Sequence, residues 1–149
     1  MYTPSNQPCT NFFRPSCLLV VTAPGQLIFQ RSQLARHLLY VLRGRVAAHE
    51  GPYDSSPQIG SKQAGSVVGD LCWVTSYRLK GRGYERANNI YAEDNCAVAI
   101  ISFEALEALN REHPRLGWKL IQSFTANAFS TLILTAHEAM SKVKLLKKV

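Results

Sequence analysis

The sequence predicts an α+β domain in which an antiparallel β-sandwich or barrel comes first and helices follow. Short apolar runs bounded by Gly, Pro, Asn and Asp turns fill the chain from Cys17 to Ile101, which is typical of antiparallel strands. From Ser102 onward, apolar residues recur every three or four positions, which indicates helices. At 149 residues, 46% of them hydrophobic, the chain has the length and composition of one globular domain.

Seven strands are predicted, and an irregular arm over residues 1–16, which contain three prolines, precedes them. Turns such as Ala23-Pro24-Gly25 separate the strands, since Pro and Gly suit the central positions of a β-turn. A short helix is predicted to open at Cys72–Val74, and a long polar loop is predicted over Ser76–Glu85. The predicted strands are Cys17–Thr22, Gln26–Phe29, Leu38–Leu42, Val46–His49, Gln58–Gln63, Asn89–Ala92 and Ala97–Ile101.

Two helices are predicted at the C-terminal end. Ser102 is a suitable N-cap for the first, and Pro114 is well placed in the first turn of the second. From Arg115 to about Leu146 there is no further proline, so one long helix with a single buried seam is expected. The predicted seam consists of Trp118, Ile121, Thr125, Ala128, Leu132, Thr135, Ala139 and Val143.

The excess positive charge is confined to two stretches of the chain. The formal net charge is +7. Four cations against one acid between Ser76 and Arg86, and four lysines without an acid from Lys142 to Val149, account for all of it. Few aromatic side chains are interleaved with these cations, so stacking on the bases of a nucleic acid is not expected.

The motifs of common enzymes and metal sites are missing from the sequence. It contains no Gly-x-Ser-x-Gly, no Walker loop and no His-x-x-x-His, so no catalytic residue is predicted. The four cysteines form no Cys-x-x-Cys pair and the four histidines are scattered, so no metal site is predicted. Cys17, Cys72 and Cys96 lie in apolar runs, where small core residues are expected.

The sequence favours a cytoplasmic location. No run of 18 apolar residues is present, so no transmembrane segment is predicted. A basic segment followed by an apolar core is missing near Met1, so no signal peptide is predicted. We therefore expect a reducing compartment, for a free protein or for the cytoplasmic domain of a larger membrane protein.

Two segments together contain the parts that would hold a cyclic nucleotide. In Gly65–Leu71, a pair of glycines lets the backbone approach a ligand, and Asp70 stands where a short helix would begin. Such an acid accepts hydrogen bonds from ribose hydroxyls, while the free amides of a helix N-terminus favour a phosphate. In Arg86–Ala92, the arginine supplies a forked contact that neutralises the phosphate.

These segments resemble the cyclic nucleotide-binding domains of bacterial catabolite regulators, cyclic-AMP-dependent protein kinase and gated ion channels. The resemblance covers about Cys17 to Lys142. It implies an antiparallel β jelly roll (a double-stranded β-helix) with C-terminal helices. The matching motifs are Pro24-Gly25-Gln26-Leu27-Ile28-Phe29, Tyr40-Val41-Leu42-Arg43-Gly44-Arg45-Val46, Val68-Gly69-Asp70-Leu71 and Arg86-Ala87-Asn88-Asn89.

The resemblance also implies a site and a division of the chain. Its phosphate and ribose contacts fall on Gly69, Asp70, Leu71, Arg86, Ala87 and Asn88. The implied division is an arm over 1–16, a β-roll with its "B" helix over 17–113, and a long helix over 114–149. The sequence departs from the family pattern in three ways: Asp70 replaces glutamate, Asn88 replaces a small residue, and Ser76–Glu85 is inserted.

Two functions from different classes follow from the resemblance. The first is a non-enzymatic regulatory sensor that binds cyclic AMP, the ligand that Ala87 favours, and signals through the long helix; no other cofactor is expected. The second is a degenerate domain that has lost the ligand and serves for interaction or dimerisation. Such a domain could be the C-terminal piece of a sulfate-permease-type transporter. A weaker third hypothesis is association of the basic tail with an anionic membrane or a nucleic acid.

Overall fold

Two four-stranded antiparallel sheets face each other, and helices cover one end. The structure is a computed structural model, and residues 17–78 and 84–147 of it are described. The sheets have the strand orders β1-β8-β3-β6 and β2-β7-β4-β5. The strands are β1 (Cys17–Thr22), β2 (Leu27–Phe29), β3 (His37–Arg43), β4 (Arg45–His49), β5 (Gln58–Gln63), β6 (Val67–Val68), β7 (Asn89–Ala92) and β8 (Cys96–Ser102). The helices are α1 (Asp70–Arg78), α2 (Phe103–Glu112) and α3 (Pro114–Leu146).

The predicted α+β jelly roll with C-terminal helices is confirmed. Strand β1 pairs with β8, the last strand, in the register Cys17↔Ile101. This long-range pairing closes the roll, and the alternation of side chains along each strand then fills the space between the two sheets. The buried core between the sheets includes Leu39, Val41, Val46, Ala92 and Val98.

A second apolar cluster joins the helices to the first sheet. Leu38 points away from the main core, since it alternates with Leu39 along β3, and it packs with Trp73, Leu106 and Phe124. Trp73 and Phe124 meet edge to face, with their ring centroids 5.3 Å apart. This cluster holds α1, α2 and the first half of α3 on the sheet. The interpretation of Trp73 as a core residue is confirmed.

The predicted starts of the two C-terminal helices agree with the structure. Ser102 caps α2, because its hydroxyl oxygen accepts a hydrogen bond of 3.1 Å from the backbone amide of Ala105. Pro114 is the first residue of α3, where its missing N–H is not needed. Gly117 lets α3 approach α2, since a Cβ at this position would lie 2.7 Å from the Cα of Asn110.

The predicted buried seam of the long helix is confirmed only at Ala128, which is buried, and at Ile121, which packs against the second cluster; the rest of it is wrong. The helix itself is confirmed, but its buried residues are Gly117, Phe124 and Ala128. Trp118 is 57% exposed, and every residue described from Phe129 onward is exposed. The spacing of apolar residues reports a helical period, whereas burial depends on how far the β-roll reaches along the helix.

Two further expectations are corrected, and two lie outside the described residues. The short helix begins earlier and ends later than predicted, since α1 starts at Asp70 and runs to Arg78, into the predicted Ser76–Glu85 loop. Cys17 is exposed because it lies on an edge strand, with its side chain on the outer face. Residues 79–83 of that loop and the arm over 1–16 are outside the described ranges.

Replacing Gly117 by alanine is expected to destabilise the protein. Alanine is the better helix former by about 1 kcal/mol, so propensity alone predicts a gain. The added Cβ overlaps backbone of Asn110, and forcing the helices apart costs about 1–3 kcal/mol. Urea unfolding of Gly117→Ala measures the change. Ser123→Ala, at an exposed position of the same helix, is the control. Equal or higher stability of Gly117→Ala would contradict the close-packing role.

Candidate functional site

All six residues of the predicted site line one cavity. It has a volume of about 500 Å³ and lies between the sheet that contains β4 and β5, the β6–α1 corner and the exposed half of α3. Volumes of this size are typical of small-molecule sites. The six residues that the structure brings together there are Gly69, Asp70, Leu71, Arg86, Ala87 and Asn88.

Gly69 shapes the corner between β6 and α1. Its φ is +90°, a conformation that side chains rarely adopt. An added Cβ would lie 3.2 Å from Nη1 of Arg86 and 3.3 Å from the carbonyl oxygen of His37. Glycine is therefore required twice, for the turn and for the close approach of the guanidinium. The turn leads directly into α1. The free amides at the N-terminus of this helix, together with the positive end of its dipole, favour an anion.

Arg86 is held in place by its backbone and its side chain. Its amide donates to the carbonyl of Gln33 (2.9 Å), and its carbonyl accepts from the amide of Ser32 (2.8 Å). Its guanidinium Nη2 donates to the carbonyl of His37 at 2.8 Å. The guanidinium carbon lies 3.5 Å from the centroid of the Phe29 ring, which is a cation–π contact. The side chain is thus buried and forms part of the cavity wall.

The charge of Arg86 is not balanced by any carboxylate among the described residues. The residue is only 7% exposed, and no ion pair to it occurs in the described part of the chain. Burial lowers the pKa of its guanidinium to about 10. The charge also acts on its neighbours. The pKa of His37 is lowered by burial first and by Arg86 second. A bound anion would compensate this charge.

Asp70 connects the cavity to the long helix. It is 8% exposed, and one carboxylate oxygen accepts a hydrogen bond of 2.5 Å from Nδ2 of Asn127 on α3. No ion pair forms between Asp70 and Arg86, although both line the cavity. The sequence analysis missed Asn127, because it lies 57 positions from Asp70 and outside any motif. The carboxylate retains lone pairs for a further donor.

The wall of the cavity that α3 forms comes from residues that the sequence did not predict at the site. Its polar residues are Thr131, Thr135 and Glu138, and Leu134 lies among them. Lys62 of β5 also lines the cavity and donates a hydrogen bond of 3.2 Å to the hydroxyl of Thr131. The spacing of Thr131, Thr135 and Glu138 places them on one face of the helix. This spacing was the only feature of the sequence from which their place in the cavity wall could have been predicted.

The two asparagines after Arg86 have different positions. Asn88 is half-buried and lines the cavity, where it stands in place of the small residue of the family pattern. The amide nitrogen of Asn89 donates to the carbonyl of Gly51 and to the hydroxyl of Tyr91, and its oxygen accepts from the amide of Arg31. Asn89 therefore supports the loops around the roll.

Within residues 17–78 and 84–147, no cluster of three or more His, Cys, Asp or Glu has the arrangement to hold a metal ion. Over the same residues, none of the helices combines the length and the hydrophobicity needed to cross a bilayer.

Comparisons with known proteins identify the fold. No protein-family model and no curated protein matches the sequence. A cyclic nucleotide-binding domain from Methylobacillus flagellatus is 19% identical over 85% of this chain and 68% of its own length, with a TM-score of 0.71. A c-di-GMP-responsive global regulator from Xanthomonas campestris is 19% identical over 85% of this chain and 58% of its own, with a TM-score of 0.67.

A third similar structure is the PKA regulatory domain of Toxoplasma gondii, co-crystallised with cAMP. It is 20% identical over 77% of this chain and 40% of its own length, with a TM-score of 0.58. Identities this low establish the shared architecture. The chain has the fold of the cyclic nucleotide-binding domains, as the resemblance of its motifs implied.

Removing the unbalanced charge is expected to stabilise the ligand-free protein. Replacing a buried charge by an apolar side chain of similar length is often stabilising, and we expect Arg86→Met to gain about 1 kcal/mol in unfolding free energy. Urea unfolding without added anions measures this. Arg43→Met, at an exposed position, should change little. A clear loss of stability in Arg86→Met would show that the charge is already compensated within the chain.

Proposed function

We propose that this domain is a non-enzymatic regulatory sensor that binds cyclic AMP in the cavity beside Arg86. One observation carries the proposal: a buried guanidinium without a carboxylate partner in the described chain faces a glycine turn and a helix N-terminus. A small anion would supply the negative charge and the hydrogen-bond acceptors that these groups lack. A cyclic phosphate with a neighbouring ribose fits the set, because Asp70 stands next to the turn.

Each part of the ligand has a partner of suitable chemistry. The phosphate lies against the guanidinium fork of Arg86 and the first amides of α1. A ribose hydroxyl donates to Asp70, which is one methylene shorter than the usual glutamate. The base extends toward α3, where Leu134 offers an apolar surface and Thr131 and Thr135 offer hydroxyl groups.

The signal passes through α3. Asn127 of this helix donates a hydrogen bond to Asp70, and Lys62 of β5 donates one to Thr131 of the helix. A ligand that contacts Asp70 changes the balance between packings of α3, because it interacts differently with each of them. The division into an arm, a β-roll and a long helix, and a cytoplasmic setting, belong to this proposal. Nucleic acid is not part of it.

The similar structures support a nucleotide ligand without choosing one. The Toxoplasma domain was crystallised with cAMP, and the Xanthomonas regulator responds to c-di-GMP. Cyclic AMP is preferred here because Ala87 follows Arg86, as in the cyclic-AMP-binding pattern. Cyclic GMP and c-di-GMP are therefore the comparison ligands in any binding experiment.

A second candidate function is a partner-binding module that uses the fold without a ligand. The observation that favours it is the exposed second half of α3, on which Phe129, Ile133 and Leu146 are 61%, 56% and 76% exposed. Large exposed apolar surfaces mark interaction sites. The partner would be a second chain or the remainder of a larger protein, such as a sulfate-permease-type transporter.

Calorimetric titration with cyclic AMP distinguishes the two candidates. We expect binding with a dissociation constant in the micromolar range for the unaltered chain. Arg86→Met should weaken it at least about 30-fold, since a buried charge partner is lost. Arg86→Lys should fall between the two, because lysine keeps the charge without the fork. Arg43→Met is the control. No heat at hundreds of micromolar would exclude a physiological sensor and leave the partner-binding module.

A further inference from the structure

The outer face of the first sheet carries exposed apolar side chains. The register places Leu19 of β1, Ala99 of β8 and Tyr40 of β3 in one row across the sheet, so the three share a face. Leu19 and Tyr40 are 72% and 37% exposed, whereas Ala99 between them is buried. In a neighbouring row Val21, which is 71% exposed, lies beside Ala97. The two alanines form the floor of a shallow apolar groove, and we call these residues the outer groove.

The helices cover only one end of this face. Leu38 and Ile101, which form the row before the outer groove, pack in the second apolar cluster under the helices. Arg43, which is in register with Ala97, marks the other end. Neighbouring strands lie about 4.8 Å apart, so β1 and β3 stand about 10 Å apart on either side of β8. This width admits the side chains of one extended segment laid along β8.

We propose that the segment just before β1 occupies the outer groove through Phe12 and Phe13. The segment lies outside the described residues and joins them at Cys17, whose side chain is on the same face of the sheet. Four residues of extended chain, the separation of Phe13 from Cys17, span up to about 14 Å, whereas Leu19 lies only about 7 Å along β1 from Cys17. Both aromatic side chains are therefore within reach of Leu19.

The composition of this segment matches the groove. The residues from Met1 to Phe13 include no Asp, Glu, Lys or Arg, in a chain with a formal net charge of +7. Arg14-Pro15-Ser16 precedes Cys17, and proline favours the second position of a β-turn, so the chain can reverse there and lay Phe12 back along β1. Phenylalanine rings bury a large apolar area, which stabilises such a contact.

The position of β1 favours this occupant over a second copy of the chain. β1 is at the edge of its sheet, and Cys17–Thr22 contains neither a charge nor a proline. An apolar edge of this kind pairs with other chains unless something covers it. A tethered segment has an effective concentration in the millimolar range, far above that of a second chain in dilute solution. The inference is independent of any ligand in the cavity.

Nuclear Overhauser effects in the full chain test the contact directly. They are expected between the ring protons of Phe12 or Phe13 and the methyl groups of Leu19 or Val21. Their intensity per chain should stay constant when the protein is diluted, because the contact is within one chain. Absence of these effects would overturn the proposal. Effects that arise only between differently labelled chains in a mixed sample would assign the groove to a second copy, and would overturn it as well.

A double-mutant cycle in urea unfolding tests the same contact by its energy. The pair Phe12→Ser and Phe13→Ser, and separately Leu19→Ser, should each lower stability. Combined, they should lower it by less than the sum, with a coupling of roughly threefold or more in the unfolding equilibrium constant. Leu116→Ser is the matched control, since it removes a leucine that is 48% exposed on α3, outside the groove. Additive effects with Leu19→Ser, or equal coupling to Leu116→Ser, would contradict the docking.

Discussion

The site depends on one unbalanced charge, the guanidinium of Arg86. It is buried against the ring of Phe29 and a backbone carbonyl, and the described chain provides no carboxylate for it. Burial disfavours the charged form of this guanidinium and lowers its pKa to about 10. Gly69 leaves room for this guanidinium, since an added Cβ would lie 3.2 Å from its Nη1, and α1 begins at the next residue.

The long helix connects this charge to the surface of the molecule. Its first half is docked by Phe124 against Trp73 and by Asn127 against Asp70. Its second half contributes one face to the cavity and leaves another face in solvent. In the proposed sensor, a ligand at Asp70 would act on a helix whose second half has exposed apolar residues.

The sequence predicts the fold well where the signal is local. Alternating apolar runs locate the strands, and Ser102 and Pro114 mark the ends of the helices. It fails where the answer depends on distant parts of the chain. The exposure of Trp118 reflects how far the β-roll reaches along α3, and the contact between Asn127 and Asp70 joins residues that no spacing rule connects. The cavity residues of the motif were predictable, and so was the long helix, but the contribution of that helix to the cavity wall was not.

The most direct test of the unbalanced charge observes the guanidinium itself. Nitrogen-15 NMR of the side chain, assigned by comparison with Arg86→Met, reports the exchange of its protons with water before and after cyclic AMP is added. A phosphate beside Arg86 predicts a shift of this resonance and slower exchange, since each N–H gains a strong acceptor. An unchanged Arg86 resonance at a concentration where cyclic AMP is bound would place the ligand elsewhere and contradict the account.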